Sequence, residues 1–140
     1  MEPERLIEAI TAWAAETDEI LAAALCGSHA RGTAGPGSDI DLVLVCSNRE
    51  RFLADVSWAR DFGPVGGVAF ETYGLVESVR VTYESGTEVE FGFAIIDWVT
   101  LPIDVGTAHV MRDGVRILYD PSGRLARAVH CAQSTLDDGR

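Results

Sequence analysis

Two aspartates separated by one residue, Asp39 and Asp41, head an apolar run, Ile40 to Cys46, that reads as a β-strand. Side chains two apart on a strand project to the same face with backbones roughly 6 to 7 Å apart. Carboxylates so close repel each other unless a cation sits between them, and hard oxygen ligands of this kind suit magnesium or manganese. A pair of such ions about 3.5 to 4 Å apart activates an attacking oxygen while neutralising a triphosphate. A site of that type needs one more carboxylate from a neighbouring strand. Thr87-Glu88-Val89-Glu90-Phe91-Gly92-Phe93 offers two, because alternation sets Glu88 and Glu90 on one face and Val89, Phe91 and Phe93 on the other. Residue pattern alone leaves Glu88 and Glu90 both open.

Upstream, Gly27 and Ser28 follow a short apolar segment. A glycine and a small hydroxyl residue at a strand end let backbone amides and the serine oxygen approach phosphate oxygens, since no side chain blocks them. Arg31 stands where a helix following this turn begins, close enough to add a multidentate cation to a phosphate. Ser38, just before Asp39, is placed to orient a carboxylate.

These residues must be held by a scaffold, and the chain supplies one in order. Leu6, Ile7, Ile10, Trp13 and Ala14 recur at helical spacing from Pro3 to about Thr17, with Pro3 suited to the first turn. Alanine content favours more helix after Glu19, but the Gly27-Ser28 turn that follows argues for a short buried strand from Leu21 to Cys26. After the Ile40–Cys46 strand, Ser47 or Asn48 caps a helix expected over residues 49–60, with Phe52, Leu53, Val56 and Ala59 as its apolar stripe. Val68 to Val76 and Ser78 to Glu84 read as extended, and Ser85-Gly86 as a hairpin turn into Thr87 to Ile96. Residues 97–108, holding Pro102, Asp104 and Gly106, read as a surface connection. A strand is expected from Val115 to Tyr119 after an Asp113-Gly114 turn. Asp120, Pro121 and Ser122 start a final helix carrying Leu125, Val129 and Ala132, and the terminal LDDGR is expected to fray.

The motif can now be compared with known families. Gly27-Ser28, ten intervening residues, and Asp39-Ile40-Asp41 resemble the nucleotidyltransferase superfamily typified by the DNA polymerase beta fold. GSHARGTAGPGSDIDL is especially similar to the motif of minimal nucleotidyltransferases and aminoglycoside nucleotidyltransferases, and the element order extends the likeness over about the first 60 residues. The resemblance implies that Gly27 and Ser28 hold nucleotide phosphates and that Asp39 and Asp41 bind metal. It implies a third metal-binding carboxylate on a later strand, which Glu90 matches better than Glu88 and which helps deprotonate the acceptor. The expected reaction moves a nucleoside monophosphate, AMP from ATP, to an acceptor hydroxyl and releases pyrophosphate. The acceptor is expected to be a cationic small molecule or a protein; minimal members also act as antitoxins that bind and adenylylate a HEPN toxin. A catalytically silent nucleotide-binding module is the non-enzymatic alternative.

Composition narrows the setting. At 140 residues, 47% hydrophobic and 24% charged, the chain is expected to form a single folded domain over residues 1–140. The fold class expected is α/β (α+β): a mixed, largely antiparallel twisted sheet with helices packed mainly on one face. A net charge of -11 argues against a broad grip on nucleic acid, which needs Lys and Arg to displace phosphate counterions. Cys26, Cys46 and Cys131 lack metal-ligand spacing and read as thiols of a reducing cytosol rather than a disulfide framework. No signal-peptide pattern or membrane-length apolar run is evident, so a cytoplasmic protein is expected, with a homodimer or hetero-complex open to it. His29, His109 and His130 read as loop or surface residues, the three tryptophans as core or rim, and Asp104 and Asp113 as turn residues.

Overall fold

The structure, a computed structural model, describes residues 2–137. Helix α1 (Pro3–Glu16) starts with proline, whose missing N–H costs nothing in a first turn, and buries Leu6, Ile7, Ile10 and Ala14 along one stripe. Strand β1 (Ile20–Cys26) follows despite its alanines, with every residue but Leu21 buried. Tertiary burial on both faces outweighs helix propensity here, and small side chains let the layers on either side close on the strand.

Helix α2 (Gly27–Arg31) and strand β2 (Ile40–Cys46) come next, β2 lying antiparallel to β1. The single helix expected over residues 49–60 is instead broken into α3 (Glu50–Ala54) and a 3-10 turn at Ser57–Phe62. The break falls at Asp55, whose carboxylate accepts the Ser57 N–H at 3.0 Å and so competes with the helical ladder.

Strands β3 (Val65–Tyr73) and β4 (Val76–Tyr83) form a hairpin that turns at Gly74, φ 55°, inside a stretch read from sequence as one extended run. The Ser85-Gly86 turn leads into β5 (Glu88–Ala94) as expected. Residues 97–108 do not form a surface connection: a 3-10 turn at Ile96–Val99 buries Trp98 and Val99, and α4 (Val105–Asp113) follows. Asp104 caps α4, accepting the Thr107 N–H at 3.1 Å and its hydroxyl at 3.3 Å, so a residue read as a turn marker is a helix start. Strand β6 (Arg116–Tyr119) and helix α5 (Arg124–Asp137) complete the chain. Of the expected frayed tail, Leu136 and Asp137 lie within α5, and the last three residues lie outside the described part.

The six strands make one sheet in the order β3-β4-β5-β2-β1-β6, with β2–β5 parallel and every other pair antiparallel. The mixed, largely antiparallel sheet is as expected, but the helices divide between its faces. On one face α1, α3 and the 57–62 turn pack on Ile40, Leu42, Leu44, Val89, Phe91 and Phe93. On the other, α4 and α5 cover Ala22, Ala24, Val43 and Val45 with Trp98 and Met111 between them. Neither helix extends over Arg80 and Glu90, and that uncovered part carries the charged residues. Among the described residues no helix is long and apolar enough to cross a membrane.

Candidate active site

The chain leaves β1 at Cys26 and enters α2 at once. Gly27 has φ +69°, a conformation side-chain-bearing residues rarely take, and a Cβ there would lie 2.5 Å from Asp41 Oδ2. Only glycine lets the start of α2 approach strand β2 this closely. Ser28 therefore sits in the first turn of a helix, and Gly32 closes that helix in the left-handed conformation. Arg31 lies at the end of α2 rather than the beginning, its stem so near Gly114 that a Cβ on that glycine would meet Arg31 Cγ at 2.9 Å. The Ser38 hydroxyl accepts the Gly35 N–H at 2.9 Å and His29 Nε2 lies 3.3 Å from the Ser38 carbonyl oxygen. Both contacts brace the loop before Asp39, and neither reaches a carboxylate.

Asp39 and Asp41 share the face opposite Ile40, Leu42 and Leu44, as alternation requires. Cross-strand register fixes which of these residues stand side by side. Asp41 pairs with Glu90 on parallel β5, with Cys26 on β1, and Glu90 pairs with Arg80 on β4. A single row therefore crosses the sheet through Cys26, Asp41, Glu90, Arg80 and Ala69. Glu88 stands one step along β5, accepting a hydrogen bond from the Thr82 hydroxyl at 3.3 Å.

Arg80 was not singled out by sequence, because one arginine in a strand of valine, serine and threonine reads as a solvated face. Its guanidinium reaches Asp39 at 3.3 Å through Nη1 and Glu90 at 3.2 Å through Nη2. Glu88 lies 3.8 Å away. Nε is 3.4 Å from Glu71 Oε1, close enough for charge attraction but without hydrogen-bond alignment. Negative charge, that of Glu90 above all, holds the guanidinium firmly protonated. The carboxyl of Asp41 is pushed up to about 6, first by burial and then by the charges of Glu90 and Asp39.

Beside this row lies a cavity of about 560 Å³. It is lined by Gly27, Arg31, Asp41 and Glu90 together with Ser78, Gly92 and Trp98, the 73–76 segment and residues of α4. Ser78 is 2% exposed and its hydroxyl has no hydrogen-bond partner among the described residues. Arg49 fixes the 73–76 wall by donating to the Leu75 carbonyl at 3.0 Å and the Phe93 carbonyl at 3.2 Å. The volume suits a ligand of drug or nucleoside size.

His109 and His130 are exposed, and Trp98 is buried core. Cys26 and Cys46 are buried unbridged thiols, each pushed up to about 12, mainly by burial.

Carboxylates thus stand on adjacent strands of a mixed α+β sheet, beside a glycine-opened approach at the end of β1. A family model for the nucleotidyltransferase domain matches residues 7–105, and the chain belongs to that family. Among solved structures, an aminoglycoside 6-adenyltransferase from Bacillus subtilis shares the fold with a TM-score of 0.57 at 14% identity. The match covers 70% of this chain and 36% of the adenyltransferase, so the chain spans little more than a third of that protein's length. Comparison with curated proteins finds no match.

Proposed function

We propose that the protein transfers a nucleoside monophosphate, AMP from ATP, to an acceptor hydroxyl and releases pyrophosphate. The observation that carries the reading is the parallel register of Asp41 with Glu90, with Asp39 two residues away on the same face. The acceptor oxygen attacks the α-phosphorus, the bond to the bridging oxygen of pyrophosphate breaks, and Glu90 receives the acceptor's proton. Gly27, Ser28 and Arg31 hold the phosphates, and Ser38 keeps the preceding loop in place. The continuous sheet supports treating residues 1–140 as a single domain, and the lack of a membrane-spanning helix among the described residues is compatible with a cytoplasmic setting.

The residues present fit a magnesium or manganese ion in the chemistry of their donors and in the space left at Gly27, which a Cβ would fill against Asp41. Asp39, Asp41 and Glu90 would hold it. When bound, such an ion supplies neutralisation of the triphosphate and activation of the attacking oxygen. Among the described residues no three acidic, histidine or cysteine side chains already converge as a metal cage, and Arg80 bridges Asp39 and Glu90.

For the acceptor, the cavity favours a small molecule, and its acidic lining at Asp41, Glu90, Asp104 and Asp113 favours a cationic one. A second reading, a protein acceptor such as a HEPN toxin neutralised by an antitoxin, is favoured by the edge strand β3. That strand borders the site, is exposed over nearly its whole length, and leaves Phe70 59% exposed.

The test is incubation with each NTP, magnesium and a panel of cationic alcohols and co-purified proteins, read as mass gain. Gain of one nucleotidyl mass, lost in Asp39→Ala with Asp41→Ala, is the expected result. Failure with every NTP and acceptor, alongside nucleotide binding, would identify a silent binding module instead.

A further inference from the structure

We infer that Arg80 is a built-in counter-cation of the carboxylate cluster, which a divalent ion must displace from Asp39 and Glu90 in order to bind. This rests on the proposed metal role of those residues. Five carboxylates, Asp39, Asp41, Glu71, Glu88 and Glu90, share the face on which Arg80 is the cation in contact. Glu90, the least exposed of the four that Arg80 touches, at 19%, receives one of its two shortest contacts. Asp39 receives the other, so Arg80 engages two of the three oxygen donors that a metal would need.

The position of Arg80 explains why such crowding is tolerated. It stands on β4 directly opposite Glu90, and β4 pairs with β5 from Val76 to Thr82, so its backbone is held by the ladder while the guanidinium sits at the end of a long side chain. With side-chain exposure of 32%, the guanidinium has a path to solvent that the carboxylates around it do not require it to abandon. Guanidinium and divalent ion are thus alternative occupants of the same oxygen atoms. A metal-free cluster held closed by an arginine stays ordered, whereas one with only repelling carboxylates would splay.

The test compares the native protein with Arg80→Gln and Asp41→Asn by titrating Mn²⁺, with free ion followed by electron paramagnetic resonance and Tm recorded in EDTA. Expected is Mn²⁺ binding at least tenfold tighter in Arg80→Gln than in the native protein, with a lower Tm in EDTA and a larger rise in Tm on adding Mn²⁺. Equal or weaker Mn²⁺ binding in Arg80→Gln, with binding still lost in Asp41→Asn, would overturn the role of Arg80 and leave the metal site standing. If none of the three proteins binds Mn²⁺, with or without NTP, the metal site itself fails and the inference with it.

Discussion

Asp41 and Glu90 are register partners on the one parallel strand pair of the sheet, although 49 positions separate them in the chain. Glu88 lies beyond this pairing and is occupied with Thr82. Glu90→Gln should therefore lower transfer by about 100-fold or more, the scale of a lost general base, whereas Glu88→Gln should leave most of it. Rates from nucleotidyl mass gain at saturating NTP check this; the reverse ranking would assign the proton-accepting role to Glu88.

Gly27→Ala should be felt in stability and activity together. Its φ of +69° costs a side-chain-bearing residue about 1 kcal/mol or more. The added methyl also pushes the Asp41 carboxylate out of line. Chemical denaturation and transfer rate should both fall, with the rate falling further than the small loss of folded protein explains.

Metal-free stability should depend on pH through Asp41. Its folded carboxyl is raised to about 6 from an ordinary 3.8, so between those values the folded protein binds more proton than the unfolded chain. Stability in EDTA should therefore decline as pH rises from about 4 to 7, and Asp41→Asn should remove much of that slope. Discounted for solvent screening of a carboxyl that is only partly buried, the effect at pH 7 is about 1 kcal/mol. Denaturant midpoints of both proteins at pH 5 and pH 7 measure it; an unchanged slope in Asp41→Asn would remove Asp41 as the source.

Asp104 faces the cavity, yet its carboxylate is engaged with the first turn of α4. Asp104→Ala should cost about 1 kcal/mol, the usual loss of an N-cap, and Asp104→Ser should recover most of it. Activity should follow the same order, because α4 walls the cavity. Full activity loss in a stable Asp104→Ser protein would show that the carboxylate itself contacts substrate.

Strands β1 and β2 were legible because the signals that decided them are local. Ile40 to Cys46 is a near-continuous apolar run closed by Ser47 and Asn48, and the Gly27-Ser28 junction outweighed the helical propensity of Ala22, Ala23 and Ala24. Helix α4 was not legible: Pro102, Asp104 and Gly106 are loop residues by composition, and what makes them a helix start is the capping bond from Asp104, which spacing alone does not distinguish from a turn. The hairpin at Gly74 was hidden for a related reason, since Tyr73, Leu75 and Val76 all favour extended structure and one glycine gave the only break. The contacts of Arg80 and the pairing of Glu90 with Asp41 depend on cross-strand register. That is a long-range property, and no window of sequence around either residue contains it.

The parallel pairing of β2 and β5 is reached through an excursion containing α3, the 57–62 turn and the β3–β4 hairpin. Its consequence is a division of tolerance to insertion. One residue added within β5 ahead of Glu90 would turn that carboxylate toward the Phe91 side of the sheet. Residues added at Gly74, by contrast, would reshape the cavity and leave the Asp41–Glu90 pairing untouched, so the shape of the cavity is open to loop engineering independently of that register.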